Sequence, residues 1–258
     1  MVRIAAIGDL HLKTRVPDAL ADGLADLRGR ADALVIAGDI TDGGRLPEVE
    51  AAAELFRAVN LPIVAVMGNH DRRCLRRTAF RRILAGAGVT LLDGEATVVD
   101  LGGMRIGFAG VGGYGGGFWP DEGPALPHHR AAQALAVRAR REAIRLEDAL
   151  LRLRPLAPWA TVVVLHYAPT ATTLGKEPPL KYWMLGNIEL GRVIDRYDVA
   201  LVLHGHAHLG NPDGRTLGGT TVHNVATSVI GSPVVYLLPM AAAGASVAVS
   251  ASPVGWPA

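Results

Sequence analysis

One cysteine, Cys74, is all that the chain contains in 258 residues. An internal disulfide is therefore excluded, a pattern that fits a reducing compartment. Aromatic residues make up only 5% of the chain, so aliphatic side chains have to build most of the interior. An excess of either charge is lacking too. Against 24 acidic residues stand 26 basic ones, a net +2 that signals no polyanionic partner at the level of the whole chain. Lysine is scarce, with only Lys13, Lys176 and Lys181, so the cations are almost all arginine. A compositional bias explains this most simply, with phosphate binding as the alternative. At the N-terminus no long apolar region or cleavage site follows Met1–Ile7. That stretch reads as a strand rather than a signal peptide, and the expected location is cytoplasmic.

Charged residues are missing altogether from Thr216 to Ala258. A membrane-crossing helix needs about 20 predominantly apolar residues. Here Gly231, Pro233, Pro239 and Gly244 interrupt the run, and Ser and Thr are scattered through it. Buried strands and a small-residue tail are the better reading, and membrane association is not expected. The organisation expected is a single domain over 1–240 with an uncharged tail over 241–258.

What is present is a chain that is 50% hydrophobic and 19% charged, enough to bury a continuous core and outside the disordered range. Its first third alternates short apolar runs with helical spacing. Strands are expected at Ile4–Ile7, Ala33–Ala37 and Pro62–Met67, with helices at Pro17–Arg28 and Pro47–Val59. Such units imply parallel strands with right-handed crossovers. Gly102–Gly103 between Ala96–Leu101 and Arg105–Ala109 signals a two-residue hairpin, hence an antiparallel section. The glycine-rich stretch Gly112–Phe118 is read as a flexible loop; it is no phosphate-cradling P-loop, because no Gly-Lys-Ser/Thr follows. A long helix is expected at Arg130–Arg154 and a shorter one at Asn187–Arg196. Further strands are expected at Thr161–Leu165, Ala200–Leu203, Val222–Val225 and Val234–Leu238.

The residues that follow these strands carry the chemistry. They are Asp9-Leu10-His11, Gly38-Asp39, Gly68-Asn69-His70-Asp71, His166, and His204-Gly205-His206-Ala207-His208. Ligand sites of open α/β sheets assemble at the carboxyl ends of strands. Carboxylates, imidazoles and an amide suit Mn²⁺, Fe²⁺ or Zn²⁺, and there are enough of them for two ions. Any one of these residues alone reads more simply as a cap or turn residue. His204, which ends a strand, is expected to be structural, as are His128, His129 and His223. The full set in this order is hard to ascribe to coincidence.

In that order the five clusters resemble the calcineurin-like metallophosphoesterase superfamily, from about Asp9 to His208. The resemblance implies an α/β fold of two mixed β-sheets packed as a sandwich between helices. It also implies two divalent metal ions. Asp9, His11 and His208 would hold one ion, Asn69, His166 and His206 the other, and Asp39 would bridge them. His70 would act at the leaving-group oxygen, oriented by Asp71. Gly-Asp-Ile-Thr-Asp-Gly-Gly and Gly-Asn-His-Asp depart from the protein phosphatases of the superfamily, which carry Gly-Asp-x-Val-Asp-Arg-Gly and Gly-Asn-His-Glu. The departure favours the phosphodiesterase-like bacterial members.

The function expected is therefore hydrolysis of a phosphodiester in a small, nucleotide-like molecule. A nuclease or a phosphomonoesterase on the same site is the alternative. A non-catalytic scaffold is disfavoured, because every expected ligand position is filled. The even charge balance disfavours nucleic acid as the partner. For substrate contacts, Arg72 and Arg73 stand out among the arginines after the Asn-His motif, whose other members read as a solvated helix face. Tyr114, Lys181 and Tyr182 are candidates for a pocket wall.

Overall fold

The first strand, β1 (Val2–Ile7), is buried at every position but Arg3, and the chain builds outward from it. In the computed structural model, which describes residues 1–125, 130–238 and 250–253, α1 (Asp18–Ala25) leads to β2 (Ala33–Ile36), α2 (Leu46–Val59) to β3 (Ile63–Val66), and α3 (Arg77–Ala85) to β4 (Val89–Leu92). These four strands are parallel. Pro47 lies in the first turn of α2, and the Glu48 carboxylate accepts the Gly43 and Arg45 amides, which caps that helix. Asn60 ends it in the left-handed conformation.

The hairpin follows. β5 (Glu95–Leu101) pairs antiparallel with β6 (Met104–Val111), and Leu101 faces Met104 across the turn. Gly102 and Gly103 both have positive φ, 64° and 86°, which is what a tight turn of this hand demands. The hairpin opens a second sheet rather than extending the first. α4 (Arg130–Leu153) and β7 (Ala160–Leu165) come next, followed by the short α5 (Tyr182–Leu185), α6 (Ile188–Ile194) and β8 (Leu201–His204). The chain then forms β9 (Asp213–Arg215), β10 (Thr221–Asn224), α7 (Thr227–Ile230), β11 (Val234–Leu238) and β12 (Ser250–Pro253).

Strand order is β12-β11-β1-β2-β3-β4 in one sheet and β5-β6-β7-β8-β10-β9 in the other. In the first sheet antiparallel strands β11 and β12 lie on one side of the parallel run, and in the second an antiparallel strand stands at each edge, β5 and β9. The expected mixed sandwich is therefore the observed fold. Alternation along β1 explains the layering: Val2, Ile4 and Ala6 face Ile106, Phe108, Val162 and Leu203 of the other sheet. Ala5 and Ile7 face outward onto Leu24, Phe56 and Phe80 of the first helical layer. Beyond the second sheet, α4 contributes Ala143, Leu146, Ala149, Leu150 and Leu153. Ile144 on the same helix is 51% exposed, because it falls between the 143, 146 and 150 positions.

The uncharged C-terminal run divides as its breakers suggest. β10 joins the second sheet and β11 closes against β1. Four residues of the expected tail, Ser250–Pro253, pair with β11; residues 239–249 and 254–258 lie outside those described. No helix among the described residues is long and apolar enough to cross a membrane.

Candidate metal centre

Parallel strands from both sheets end along one edge of the sandwich, and the loops leaving them converge. The residues after β1, β2, β3, β7 and β8 are those singled out by sequence, and three of the turns are bent by their own functional residues. Asp9, His11, Asp39 and His206 all have positive φ, between 43° and 68°. For residues with a side chain this backbone region is sparsely populated, and such strain concentrates at functional sites. The strained turns carry side chains away from the strand direction and into the cleft between the sheets.

Among the described residues three donor groups result; one is His11, Asp42 and His70, and the other two hold the residues expected from the sequence. Asp9, His11 and His208 form one, and Asp39, His166 and His206 the other; within each, the ligand-type atoms lie within 4.8 Å of one another. Asp39 faces both. Its Oδ2 is 3.8 Å from Nε2 of His11 and 3.5 Å from Nε2 of His166. Nδ1 of His166 donates to the Ala37 carbonyl at 3.0 Å, so Nε2 presents a lone pair, 2.9 Å from Oδ1 of Asn69. Lone pairs of an imidazole, a carboxylate and an amide thus meet at one point, an arrangement that a cation satisfies. Nε2 of His11 is buried with no hydrogen-bond partner, 3.9 Å from Oδ1 of Asp9. An orphaned buried nitrogen among carboxylates is the second sign that the set fits a metal.

The electrostatics agree for His206 and His11. Burial, helped by His166, pushes His206 down to about 3, so its ring is neutral and able to ligate. Burial also lowers His11 against the pull of Asp39 and Asp9. For Asp9 burial works the other way, yet the hydrogen bond from His208 at 2.8 Å and the neighbouring imidazoles hold its carboxyl below the usual range. That same bond raises His208.

His70 stands beside these groups with Nδ1 hydrogen-bonded to the Asp42 carbonyl at 2.5 Å and Nε2 contacted by the Arg73 guanidinium at 3.1 Å. Asp71, expected to orient His70, does something else. It is fully buried, and its carboxylate accepts from the amides of Ile40, Thr41 and Gly68 and from the Thr41 hydroxyl. Asp71 therefore ties the Asp39 loop to the Asn69 loop, and the His70 ring is positioned by Asp42. Burial, with Asp39 nearby, pushes Asp71 up to about 6.

The substrate candidates separate. Arg72 pairs with Asp93 and Glu142 at 3.2 Å each and lines, with Arg73 and Tyr114, a cavity of about 410 Å³ that reaches Asn69. Lys181 lines a second cavity of about 280 Å³ with Asp39, Asn69, His70, His206 and His208. Tyr182 does not face either cavity; it packs edge-on against Phe118 in a small apolar cluster. His204 is buried between the Thr173 hydroxyl and the Gly205 carbonyl, and His223 bonds Asp213, so both are structural as expected. His128 and His129 lie outside the described residues.

Some participants were not read from the sequence. Asp42 is the second aspartate of the Gly-Asp-Ile-Thr-Asp run and meets His11 and His70. Glu177, nearly buried, accepts the Leu209 amide at 2.9 Å and so braces the loop that carries His206 and His208. Arg138 and Arg141 come into the larger cavity from α4; their spacing of three on one helix was the available signal.

A family model described as calcineurin-like phosphoesterase matches residues 2–210. A DNA double-strand break repair protein, Mre11 of Aeropyrum pernix, is 31% identical over 42% of the chain and 29% of its own length. A probable cyclic nucleotide phosphodiesterase of Rhodococcus erythropolis is 32% identical over 40% of the chain and 35% of its own length. The matched stretch thus spans about a third of these curated relatives. The solved structure of the calcineurin-like phosphoesterase YfkN from Bacillus subtilis covers 98% of the chain and 90% of its own at 12% identity, with a TM-score of 0.58, a likeness of fold.

Proposed function

The chain belongs to the calcineurin-like phosphoesterase family, and we propose that it hydrolyses phosphodiesters of small, nucleotide-like molecules at two divalent metal ions. The single observation that carries the reading is the position of Asp39 between the two donor groups, with one carboxylate oxygen within 4 Å of His11 and of His166. A carboxylate in that position is suited to bridge ions about 3.5–4 Å apart. Asp9, His11 and His208 would hold one ion and Asn69, His166 and His206 the other. The mixed nitrogen and oxygen set suits Mn²⁺, Fe²⁺ or Zn²⁺. Bound there, the ions would supply charge neutralisation for the phosphate oxygens and an activated water.

The chain's own residues do the rest. The Asp42 carbonyl keeps the Nδ1 proton of His70 in place, which leaves Nε2 as the edge that exchanges a proton. Protonated at Nε2, His70 donates to the leaving-group oxygen and stabilises the charge that develops there. Lys181 and Arg73, at the rim, attract the substrate anion. The probable cyclic nucleotide phosphodiesterase among the relatives supports a small diester. The near-zero net charge supports it over a nucleic acid, whose binding rests on many phosphate contacts.

The test is hydrolysis of bis-p-nitrophenyl phosphate and p-nitrophenyl phosphate, side by side, by metal-stripped protein given Mn²⁺, compared with Asp39→Asn. Metal-dependent cleavage of the diester that the variant lacks is the expected result. Preference for the monoester would make the chain a phosphatase instead. Retention of two tightly bound ions by Asp39→Asn would refute the bridging assignment.

A further inference from the structure

The cavity of about 410 Å³ beside the metal centre is walled by arginine from two elements that are distant in sequence. Arg72, Arg73 and Arg77 approach from the turn after Asn69 and the start of α3. Arg138 and Arg141 approach from α4. Asn69 lines both this cavity and the one that contains Asp39 and His70, so a molecule whose reacting phosphate sits at the metals has a direct path into the arginine-lined space.

Of these five side chains only Arg72 is neutralised, by Asp93 and Glu142. Among the described residues no carboxylate lies within ion-pair distance of the other four. Arg73 contacts Nε2 of His70 at 3.1 Å, and Arg138 donates to the Tyr114 hydroxyl at 2.9 Å while lying 5.1 Å above its ring. The contrast with their neighbours is informative. Arg81 and Arg145, set back from the cavity on the same two helices, are both paired with Asp93 and with a glutamate. Like charges gathered around one space repel each other unless an anion occupies it. Guanidinium groups on opposite walls can each offer two parallel N–H donors to a phosphate, a geometry that ammonium groups lack.

We infer that this cavity binds a second phosphate group of the substrate, so that the preferred diester carries a separate phosphomonoester on one of its two alcohol portions. The inference rests on the phosphodiesterase reading and adds the substrate class. The stacked pair Tyr114 and Tyr167, with ring centroids 5.8 Å apart, adds an uncharged face, and Glu142, the carboxylate of the lining, is engaged by Arg72 and Arg145. Recognition therefore falls to the arginine walls.

The test uses the Mn²⁺-loaded protein and two matched diesters, thymidine 5′-(p-nitrophenyl phosphate) and the same compound phosphorylated at the 3′ hydroxyl. The expected preference for the phosphorylated diester is on the order of ten- to a hundred-fold in kcat/KM, carried by KM. In Arg138→Ala/Arg141→Ala the ratio between the two substrates should fall to within about threefold of one. Arg138→Lys/Arg141→Lys, which keeps the charge, should retain part of it. Equal turnover of the two diesters by the unmodified protein would overturn the inference and leave the phosphodiesterase reading standing. A ratio kept in the double alanine variant would overturn the assignment to α4. If neither diester is cleaved, the phosphodiesterase reading fails, and calorimetric titration with thymidine 5′-monophosphate and thymidine 3′,5′-bisphosphate decides the cavity alone. Tighter, arginine-dependent binding of the bisphosphate upholds it; equal affinities overturn it.

Discussion

Gly38 and His166 pack so closely that a Cβ on Gly38 would lie 2.7 Å from Nδ1 of the imidazole and 2.8 Å from its Cβ. The glycine lies between β2 and Asp39 at the edge of the first sheet, and the histidine follows β7 of the second. Their contact is where the two sheets meet at the candidate metal centre, and the adjoining Ala37 carbonyl accepts a hydrogen bond from Nδ1.

Gly38→Ala should therefore strike the metal site through backbone and packing together. Gly38 has φ of 84°, where an alanine costs about 1–2 kcal/mol, and the new methyl would push the ring off its carbonyl partner. Displacing such an orienting contact weakens metal binding about 10–100-fold. Titration of the stripped protein with Mn²⁺ is the check, and unchanged affinity would mean that His166 is no ligand.

His70→Ala should cut diester turnover by about 10²–10⁴-fold with metal content unchanged. Mn²⁺ analysis beside the rate measurement separates the outcomes. Loss of metal together with activity would make His70 a structural residue.

Asp71→Asn tests the tie between the two loops. The amide keeps one acceptor oxygen where the carboxylate receives four hydrogen bonds, so a loss of about 2–4 kcal/mol is expected. A residue acting through His70 would lose its effect in a His70→Ala background; a tie between loops would not. Urea unfolding of both single variants and the double variant should show additive losses.

Burial holds His204 down to about 4, against an unfolded value near 6.5. The folded pKa lies below the unfolded one, so on acidification the unfolded chain takes up its proton first. The stabilisation is complete above about pH 6.5 and is lost as pH falls toward 4. Between pH 7.5 and pH 5 this removes on the order of 2 kcal/mol. His206 shifts the same way, so the measurement is the difference between proteins: with metal chelated, His204→Gln should show a shallower pH slope of the urea midpoint. An identical slope would place the titration elsewhere.

Much of this was legible in the order of the residues alone. Apolar runs of four to six residues, each followed by a polar metal-type residue, located β1, β2, β3, β7 and β8 and the side chains they deliver, because strand periodicity and the carboxyl-edge rule act locally. Gly102–Gly103 marked the hairpin for the same reason. Tertiary structure decided whatever depends on which strand ends meet. Asp71 sits next to His70 in sequence, yet its carboxylate points inward to the Asp39 loop, since a buried carboxylate goes where unpaired amides are. Tyr182 reads like a stacking residue and is instead an apolar neighbour of Phe118. Arg138 and Arg141 are two among many arginines until α4 lies beside the turn after Asn69. The sequence by itself marked the candidate donor residues and the strand ends that carry them, and through its family resemblance the two-sheet architecture; only the packing of α4 against that architecture decided what stands beside the candidate metal centre, because contacts between distant elements leave no local periodicity to read.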